Sequence, residues 1–335
     1  MKFGSVALAE AEGAILAHSE ATAKGKIAKG HVLTAKDVAA LAEAGLSEVT
    51  VARLAPTDVG ENEAAAALAR ALVPDPDAQG LALTRPHAGR VNLTATRPGI
   101  VALDPAAINA LNHVDPTITL ATLAEHARVA PRTMVATVKI IAYGVDGAAL
   151  QRVVAGAPPI SVRPVTRTTA TLILTRAGEP DKLAAKGRDA VARRLTRLGM
   201  TLSDTIRVPH DEAALAEAIA GATADLTLIL TGAATSDLHD TAPQALRRAG
   251  GTVQRFGMPV DPGNLLFLGH FGPTPVIGLP GCTRSPALNG ADCVLERLAC
   301  GLDLAGEDIA AMGVGGLLKE ITVRGQPRER HPRAD

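Results

Sequence analysis

Uninterrupted apolar runs alternate with amphipathic segments in the second half of the chain. The runs at 169–175 (TATLILT) and 225–232 (DLTLILTG) have the character of strands that are buried on both faces of a sheet. Between them, 181–199 and the segment EAALAEAIAGA carry apolar residues at helical spacing. Strands that alternate with helices predict a parallel sheet covered on both faces. We therefore expect a doubly wound, three-layer α/β domain.

The same alternation continues to residue 301. DTIRVPHD (204–211) predicts a strand and a helix cap, and APQALRRAGG predicts the next helix. TVQRFGMPV and TPVIGLPG (274–281) predict two further strands, and the chain then enters a helix predicted over 285–301.

The first half has a less regular pattern, which predicts a smaller, mixed α/β region. Thr34 is a predicted N-cap, Asp37 is placed to close a capping box with it, and Gly45 is placed to end the helix. The run at 134–145 is the most strand-like in the chain. Lys139 interrupts that run, so it must face solvent, an ion-pair partner or an anion, and a solvated face is the default interpretation.

With 335 residues, the chain is long enough for two to three domains. A Pro-rich stretch at 156–165 marks a boundary. The resulting division is an N-terminal lobe, an inserted mixed α/β segment, an α/β domain and a polar, Pro- and Arg-rich tail or linker. Their ranges are 1–55 (together with 131–165), 56–130, 166–305 and 306–335.

Charge and cysteine content exclude several classes of protein. The formal net charge is zero and no basic stripe interleaved with aromatics occurs, so we expect no nucleic-acid partner. No apolar run reaches 18 residues and the N-terminus lacks a signal-peptide pattern, which predicts a cytoplasmic protein with no membrane contact. Cys282, Cys293 and Cys300 lack the CxxC spacing of a zinc or redox site.

Glycine-rich turns directly follow two of the predicted strands. One strand stops at Thr231-Gly232 and the other at Pro280-Gly281. Ligands of open α/β sheets bind at the carboxyl ends of the strands. Backbone N–H groups in such turns suit phosphate. An anionic, phosphate-bearing ligand is therefore the first functional hypothesis.

The residues from 231 to 289 resemble the molybdopterin-binding domain family. TGAATSDLHDTAPQA is similar to the family signature TGGTGxxxxDxTPEA, while PVDPGN (259–264) and LPGCTRSP (279–286) stand where the family has PGKP-like and LPGNP-like turns. The pattern is most similar to the molybdopterin-binding region that precedes a cytidylyltransferase-like half in some bacterial proteins. Residues 1–55 resemble, more loosely, the front of the molybdenum-insertase branch.

This resemblance implies a set of cofactor-binding positions in three turns. They are Thr231, Gly232, Ala233, Ala234, Thr235, Ser236 and Asp237 in the first turn, Pro262, Gly263 and Asn264 in the second, and Pro280, Gly281, Cys282, Arg284, Ser285 and Asn289 in the third. Arg284 has the fork geometry that clamps a phosphate. Asn264 and Asn289 are equally good turn-formers.

Asp240 is the candidate for catalysis and for binding magnesium, because it matches the family's acidic position. Mg²⁺ bound to phosphates needs only one or two carboxylates. The alternative is that Asp240 only caps the helix that begins at TAPQAL. Ala233 and Thr235 replace signature glycines, and Gln244 replaces the acidic residue that usually follows the proline. These departures leave catalysis less secure than binding.

The resemblance implies a role in molybdenum cofactor biosynthesis, with two functional classes open. An enzyme would transfer a nucleotide to molybdopterin or insert molybdate, using Mg²⁺ and ATP or AMP; a carrier or sensor would bind molybdopterin without chemistry. The implied partners are a cytidylyltransferase-like domain or a molybdoenzyme, and the branch resembled implies a homo-oligomer. A generic nucleotide-binding α/β domain is a further alternative.

Overall fold

The computed structural model of the chain describes residues 1–176, 178 and 181–318. It divides the chain into two compact units, Met1–Arg163 and Pro164–Asp335. Most of the tail expected at 306–335 lies outside the described residues, although 306–318 include a short helix. No helix in the described ranges is both long enough and apolar enough to cross a bilayer.

The first unit is built from several small sheets and five helices. Its strands are β1 (Lys2–Ala7), β2 (Ile15–Leu16), β3 (Glu20–Thr22), β4 (Gly25–Ile27), β5 (Glu48–Arg53), β6 (Asp58–Gly60), β7 (Leu81–Leu83), β8 (Arg90–Ala95), β9 (Gly99–Ala102), β10 (Ile118–Thr122), β11 (Arg128–Val129), β12 (Met134–Ile140), β13 (Gly144–Asp146) and β14 (Ser161–Pro164). Its helices are α1 (Ala35–Glu43), α2 (Glu61–Leu72), α3 (Pro76–Gln79), α4 (Pro105–Asn112) and α5 (Gly147–Ala155).

Local sequence signals explain where these elements begin. The predicted capping box of α1 is confirmed, since Thr34 accepts from the Asp37 amide and the Asp37 carboxylate accepts from the Thr34 amide. Asp104 caps α4 immediately before Pro105. The strand predicted over 134–145 is confirmed as far as Ile140: β12 pairs antiparallel with β8 and β10 in the four-stranded sheet β10-β12-β8-β7, whereas Gly144–Asp146 form the separate strand β13.

The second unit is the α/β domain that the alternation predicts. Its strands are β15 (Thr169–Arg176), β16 (Thr201–Pro209), β17 (Thr227–Leu230), β18 (Thr252–Phe256), β19 (Phe267–Phe271) and β20 (Thr274–Leu279). Its helices are α6 (Asp181–Arg197), α7 (Glu212–Ala220), α8 (Thr241–Arg248), α9 (Gly290–Ala299) and α10 (Gly306–Ala310). The strands form one six-stranded sheet in the order β16-β15-β17-β20-β19-β18.

Helices cover both faces of this sheet, so the three-layer, doubly wound architecture is confirmed. One face packs Leu172, Leu228 and Ile277 against helices α6 and α9. The other face packs Ile173 and Ile229 against α7 and α8. Neighbouring strand residues point to opposite faces, and the continuous apolar runs of β15 and β17 therefore serve both layers.

Two details of the second unit differ from the sequence prediction. Strand β19 was not predicted, and it pairs antiparallel with both β18 and β20, so the sheet is mixed. The helix predicted over 285–301 begins only at Gly290; the chain first makes a 3-10 helix at Gly281–Arg284. Asn289 explains the later start, because its side chain accepts from the Ala291 amide and caps α9.

The pairing of β19 with β20 depends on a glycine. Gly278 lies directly opposite Phe267, a fully buried core residue, and a Cβ on Gly278 would overlap the Phe267 ring. We expect Gly278→Ala to lower the free energy of unfolding by about 1–3 kcal/mol, because the buried ring must move. Gly4→Ala is the control, since nothing lies within 4 Å of that Cβ position. Urea unfolding of both variants measures the difference, and equal stability of the two would contradict the packing argument.

Candidate functional site

The order of strands places a crevice between β15 and β17. From β15 the chain moves to β16 on one side and then to β17 on the other side of β15. Helix α6, which follows β15, packs on one face of the sheet, whereas α8, which follows β17, packs on the opposite face. At such a switch point the loops at the carboxyl ends diverge and open a ligand site. The first predicted turn begins there, directly after β17.

Hydrogen bonds tie the ends of three neighbouring strands together at this point. The Gly232 amide donates to Thr175 Oγ1 at 3.0 Å. The same hydroxyl lies 2.8 Å from Nδ1 of His210, the residue that follows β16. Thr175 is 1% exposed, so the contacts of its hydroxyl are shielded from bulk water. The start of the turn is therefore held in one position.

Asp240 closes the first turn and starts α8. One carboxylate oxygen accepts from the Ser236 amide at 2.9 Å and the other accepts from the Thr241 amide at 2.7 Å. Burial alone would raise the pKa of this carboxyl group. The two backbone hydrogen bonds and the charge of His210 outweigh burial and lower the pKa below its ordinary value. Asp240 therefore stays ionised over the whole neutral range.

The third turn reaches the first through Arg284. Its Nη2 donates to the Thr231 carbonyl oxygen at 2.7 Å, and its Nη1 lies 3.5 Å from the Gly281 carbonyl oxygen. Strands β17 and β20 are parallel neighbours, so the turns that follow them share one edge of the sheet. Two motifs about fifty residues apart in the sequence are thus joined by one side chain.

A buried arginine on α6 holds the third turn from inside. Arg194 is 7% exposed, and its Nε donates to Asp292 Oδ1 at 2.7 Å. Its terminal nitrogens donate to the carbonyl oxygens of Thr283, Ser285 and Ala287, each at 2.9 Å. The turn carbonyls therefore point inward to the guanidinium, and this sets the backbone path that carries Arg284.

The second turn packs against the beginning of α9. The Gly290 amide donates to the Pro262 carbonyl oxygen at 2.8 Å. A Cβ on Gly263 would come within 2.7 Å of the Gly290 nitrogen, and Gly263 has a φ of +145°. Only glycine tolerates both the conformation and this close approach. Asn264 closes the turn through its Nδ2, 3.3 Å from the Met258 carbonyl oxygen.

The sequence-predicted residues are exposed, half-buried or buried, and the half-buried ones are Gly232, Asp240 and Arg284. The exposed positions are Ala233, Ala234, Ser236, Asp237, Asn264, Gly281, Cys282 and Ser285. The buried positions are Thr231, Thr235, Pro262, Gly263, Pro280 and Asn289. Asp237 accepts from the His239 amide, as a loop residue does, and Asn289 is the buried cap of α9. Their contacts with a ligand remain predictions.

Sequence reasoning missed four residues that position these turns: Thr175, His210, Arg194 and Asp292. Two of them carried a usable signal. Thr175 and His210 stand at the carboxyl ends of strands that the apolar runs predicted, and the rule that drew attention to Thr231 applies equally to them. Arg194 carried no such signal, because one of many arginines on an amphipathic helix is normally a surface residue.

Comparison with known proteins gives a match for the same segment. Residues 168–299 match the family model of a "probable molybdopterin binding domain", and residues 5–53 match that of a domain of unknown function. The resemblance of the motif-bearing segment to molybdopterin-binding domains is thus supported over 168–299, a range that includes the three motifs. No curated protein matches the chain.

Among solved structures, one match is the molybdopterin biosynthesis MoeA protein from Pyrococcus horikosii. It is 13% identical in sequence, and the match covers 92% of this chain and 75% of that one. The TM-score is 0.28, so the superposition is poor and supports no residue-level comparison.

Loss of the Arg194 guanidinium should destabilise the second unit. We expect Arg194→Met to lower its free energy of unfolding by about 3–5 kcal/mol, because Asp292 and three carbonyl groups lose their buried partner. Arg188→Met is the control on the same helix, since Arg188 forms an exposed ion pair with Asp189 that contributes about 0–1 kcal/mol. Urea unfolding followed by circular dichroism provides the measurement. Equal effects of the two substitutions would show that the buried pair is not important.

The pKa of Asp240 should lie below its ordinary value. A carboxyl group with a lowered pKa in the folded state stabilises the fold above its unfolded pKa of about 4, and this contribution is lost as the pH falls through the folded pKa. Carboxyl-carbon NMR of the labelled chain measures the titration. His210→Gln should move the pKa back toward the ordinary value, because it removes a nearby positive charge. A midpoint at or above the ordinary value would contradict the geometry.

Proposed function

We propose that the second unit binds molybdopterin, or its nucleotide form, at the carboxyl edge of its sheet and acts in molybdenum cofactor biosynthesis. The observation that carries the proposal is the Arg284–Thr231 hydrogen bond of 2.7 Å, which joins two of the three family-like motifs beside the switch point. The match of residues 168–299 to a probable molybdopterin binding domain supports the same ligand. A generic nucleotide site would not require all three turns in this order.

The residues present fit a phosphate group. The first turn is exposed at Ala233, Ala234 and Ser236, so its backbone is open to a ligand. Arg284 supplies a guanidinium at the neighbouring turn, and guanidinium groups bind phosphate oxygens in pairs. His210 adds a side chain that hydrogen-bonds from the far side of the same crevice. Together these groups would orient the phosphate, and the pterin would extend along the sheet edge.

Magnesium would be held by one protein carboxylate. Among the described residues no group of three or more His, Cys, Asp and Glu side chains could enclose a metal ion. Mg²⁺ in phosphate sites commonly takes one or two carboxylates and completes its shell with phosphate oxygens and water. Each Asp240 oxygen accepts one amide and keeps further lone-pair capacity. Asp240 would thus bind magnesium only when a phosphate ligand supplies the other oxygens.

Magnesium dependence separates the two functional classes. An enzyme that transfers a nucleotide or inserts molybdate, using ATP or AMP, needs the ion to neutralise developing phosphate charge. A carrier needs only the turns and Arg284. In either class, a cytidylyltransferase-like domain or a molybdoenzyme would receive the cofactor. The resemblance of residues 1–55 to the insertase branch further implies that the chain acts as a homo-oligomer.

Calorimetric titration with molybdopterin and with adenylyl-molybdopterin, with and without magnesium, tests the proposal. For the enzyme we expect Asp240→Asn to weaken magnesium-dependent binding by at least about tenfold, since even groups that only orient a metal ligand contribute that much. The substitution preserves the side-chain volume, and the asparagine oxygen can still accept a hydrogen bond from one backbone amide. Asp104→Asn is the control, because Asp104 also caps a helix, α4 of the first unit, where its Oδ1 accepts from the Ala106 and Ala107 amides.

Each outcome of the titration has a definite meaning. Tight binding that needs magnesium and is weakened by Asp240→Asn supports the enzyme. Tight binding that is indifferent to both supports the carrier. No binding of either ligand overturns the proposed function, and equal weakening by Asp104→Asn shows that the effect is not specific to the Asp240 carboxylate.

A further inference from the structure

A basic pocket lies in the first unit, on one sheet of β10, β12, β8 and β7. It has a volume of about 360 Å³ and is lined by Thr84, Arg85, His87, Arg90, Asn92 and Lys139, together with Ala88. Arg85 and His87 belong to the β7–β8 hairpin, Arg90 begins β8, and Lys139 lies on β12. Four basic side chains from three stretches of chain therefore surround one pocket.

Two of these cations face each other directly across a strand pair. Arg90 and Lys139 are register partners in the antiparallel β8–β12 pair. The buried residues of the same strands, Val91 and Val138, lie on the opposite face. Like charges directly opposite each other destabilise a strand pair. An anion bound between them would remove this repulsion.

Nearby acids balance the cations of this pocket only in part. Within the described ranges, no carboxylate lies within 4.0 Å of the charged groups of Arg85, Arg90 or Lys139. Glu61, on α2, brings a carboxylate near this group. Its Oε2 lies 2.8 Å from the position that a Cβ on Gly89 would take, and Lys139 Nζ lies 3.1 Å from the same position. The chain as a whole has 34 basic and 34 acidic residues, so the local excess results from arrangement and not from composition.

Hydrogen bonds hold the pocket walls in place. Lys139 Nζ donates to the Ala88 carbonyl oxygen at 2.5 Å, and the Gly89 amide donates to Asn62 Oδ1 at 2.9 Å. On the pocket floor, Asn92 Oδ1 accepts from Thr137 Oγ1 at 2.8 Å. This contact leaves the Asn92 amide group as a donor for a ligand. Lys139, Asn92 and the Gly89 backbone are thus held in position before any anion arrives.

We propose that this pocket binds the phosphate group of a small molecule. Arginine forks bind phosphate oxygens in pairs, and a lysine ammonium adds a compact charge. The volume lies at the lower end of the range found for small-molecule sites, so it admits a phosphate and a small attached group. This site is separate from the turns of the second unit and does not depend on their proposed function.

Calorimetry of the full chain with inorganic phosphate, adenosine 5′-monophosphate and adenosine tests the proposal, with amide NMR shifts at Gly89 and Asn92 used to locate binding. We expect phosphate and the monophosphate to bind and to shift these amides, and adenosine to do neither. Arg90→Gln and Lys139→Gln should each weaken this binding by about fivefold, with a stronger loss in the double variant. Arg70→Gln, an exposed cation on α2 outside the pocket, is the control.

Thermal unfolding in phosphate-free buffer separates lost binding from lost folding. Arg90→Gln should leave the Tm unchanged or raise it, because the repulsion disappears; Lys139→Gln also loses the hydrogen bond to the Ala88 carbonyl oxygen, so Arg90→Gln is the deciding variant. Tighter binding of the monophosphate than of phosphate identifies a nucleotide, and equal binding identifies the phosphate group alone. Absence of shifts at Gly89 and Asn92, or equal weakening by Arg70→Gln, overturns the proposal.

Discussion

The buried guanidinium of Arg194 is the contact on which the third turn, at the carboxyl edge of the second unit's sheet, depends. It lies on α6 and joins three carbonyl groups of the third turn to Asp292, which itself completes the capping box of α9 with Asn289. A charge without such partners would be strongly disfavoured in this position. Helix α6, the third turn and helix α9 are therefore held together by one side chain, and this arrangement sets the direction of the Arg284 side chain.

Hydrogen bonds between the turns make the edge rigid where a ligand is expected. The Thr175 hydroxyl fixes Gly232, and Arg284 joins the first and third turns at Thr231. Asp240 illustrates how structure and chemistry combine in one group. The same amides that make it a helix cap also lower its pKa, so the contacts that shape the turn also keep the carboxylate negatively charged.

The two units concentrate polar chemistry in different ways. In the second unit, the charged side chains lie in loops that follow parallel strands. These loops come together because neighbouring parallel strands end at the same edge of the sheet. In the first unit, antiparallel register alone places Arg90 opposite Lys139, and the β7–β8 hairpin adds two more basic groups. A chain of zero net charge thus contains a strongly basic surface, because pairing between strands, and not composition, sets local charge.

The sequence by itself determined the doubly wound architecture, the capping box of α1 and the position of the motif turns, because these depend on periodicity and on contacts between near neighbours. It also drew attention to Lys139 as a cation that must face solvent, an ion-pair partner or an anion. Only the tertiary structure decided that β19 completes a mixed sheet, that Asn289 and Gly263 are packed inward, and that Arg194 and His210 contact the turns and strand ends at the carboxyl edge of the sheet. Those outcomes depend on contacts between residues tens of positions apart, which no local pattern encodes.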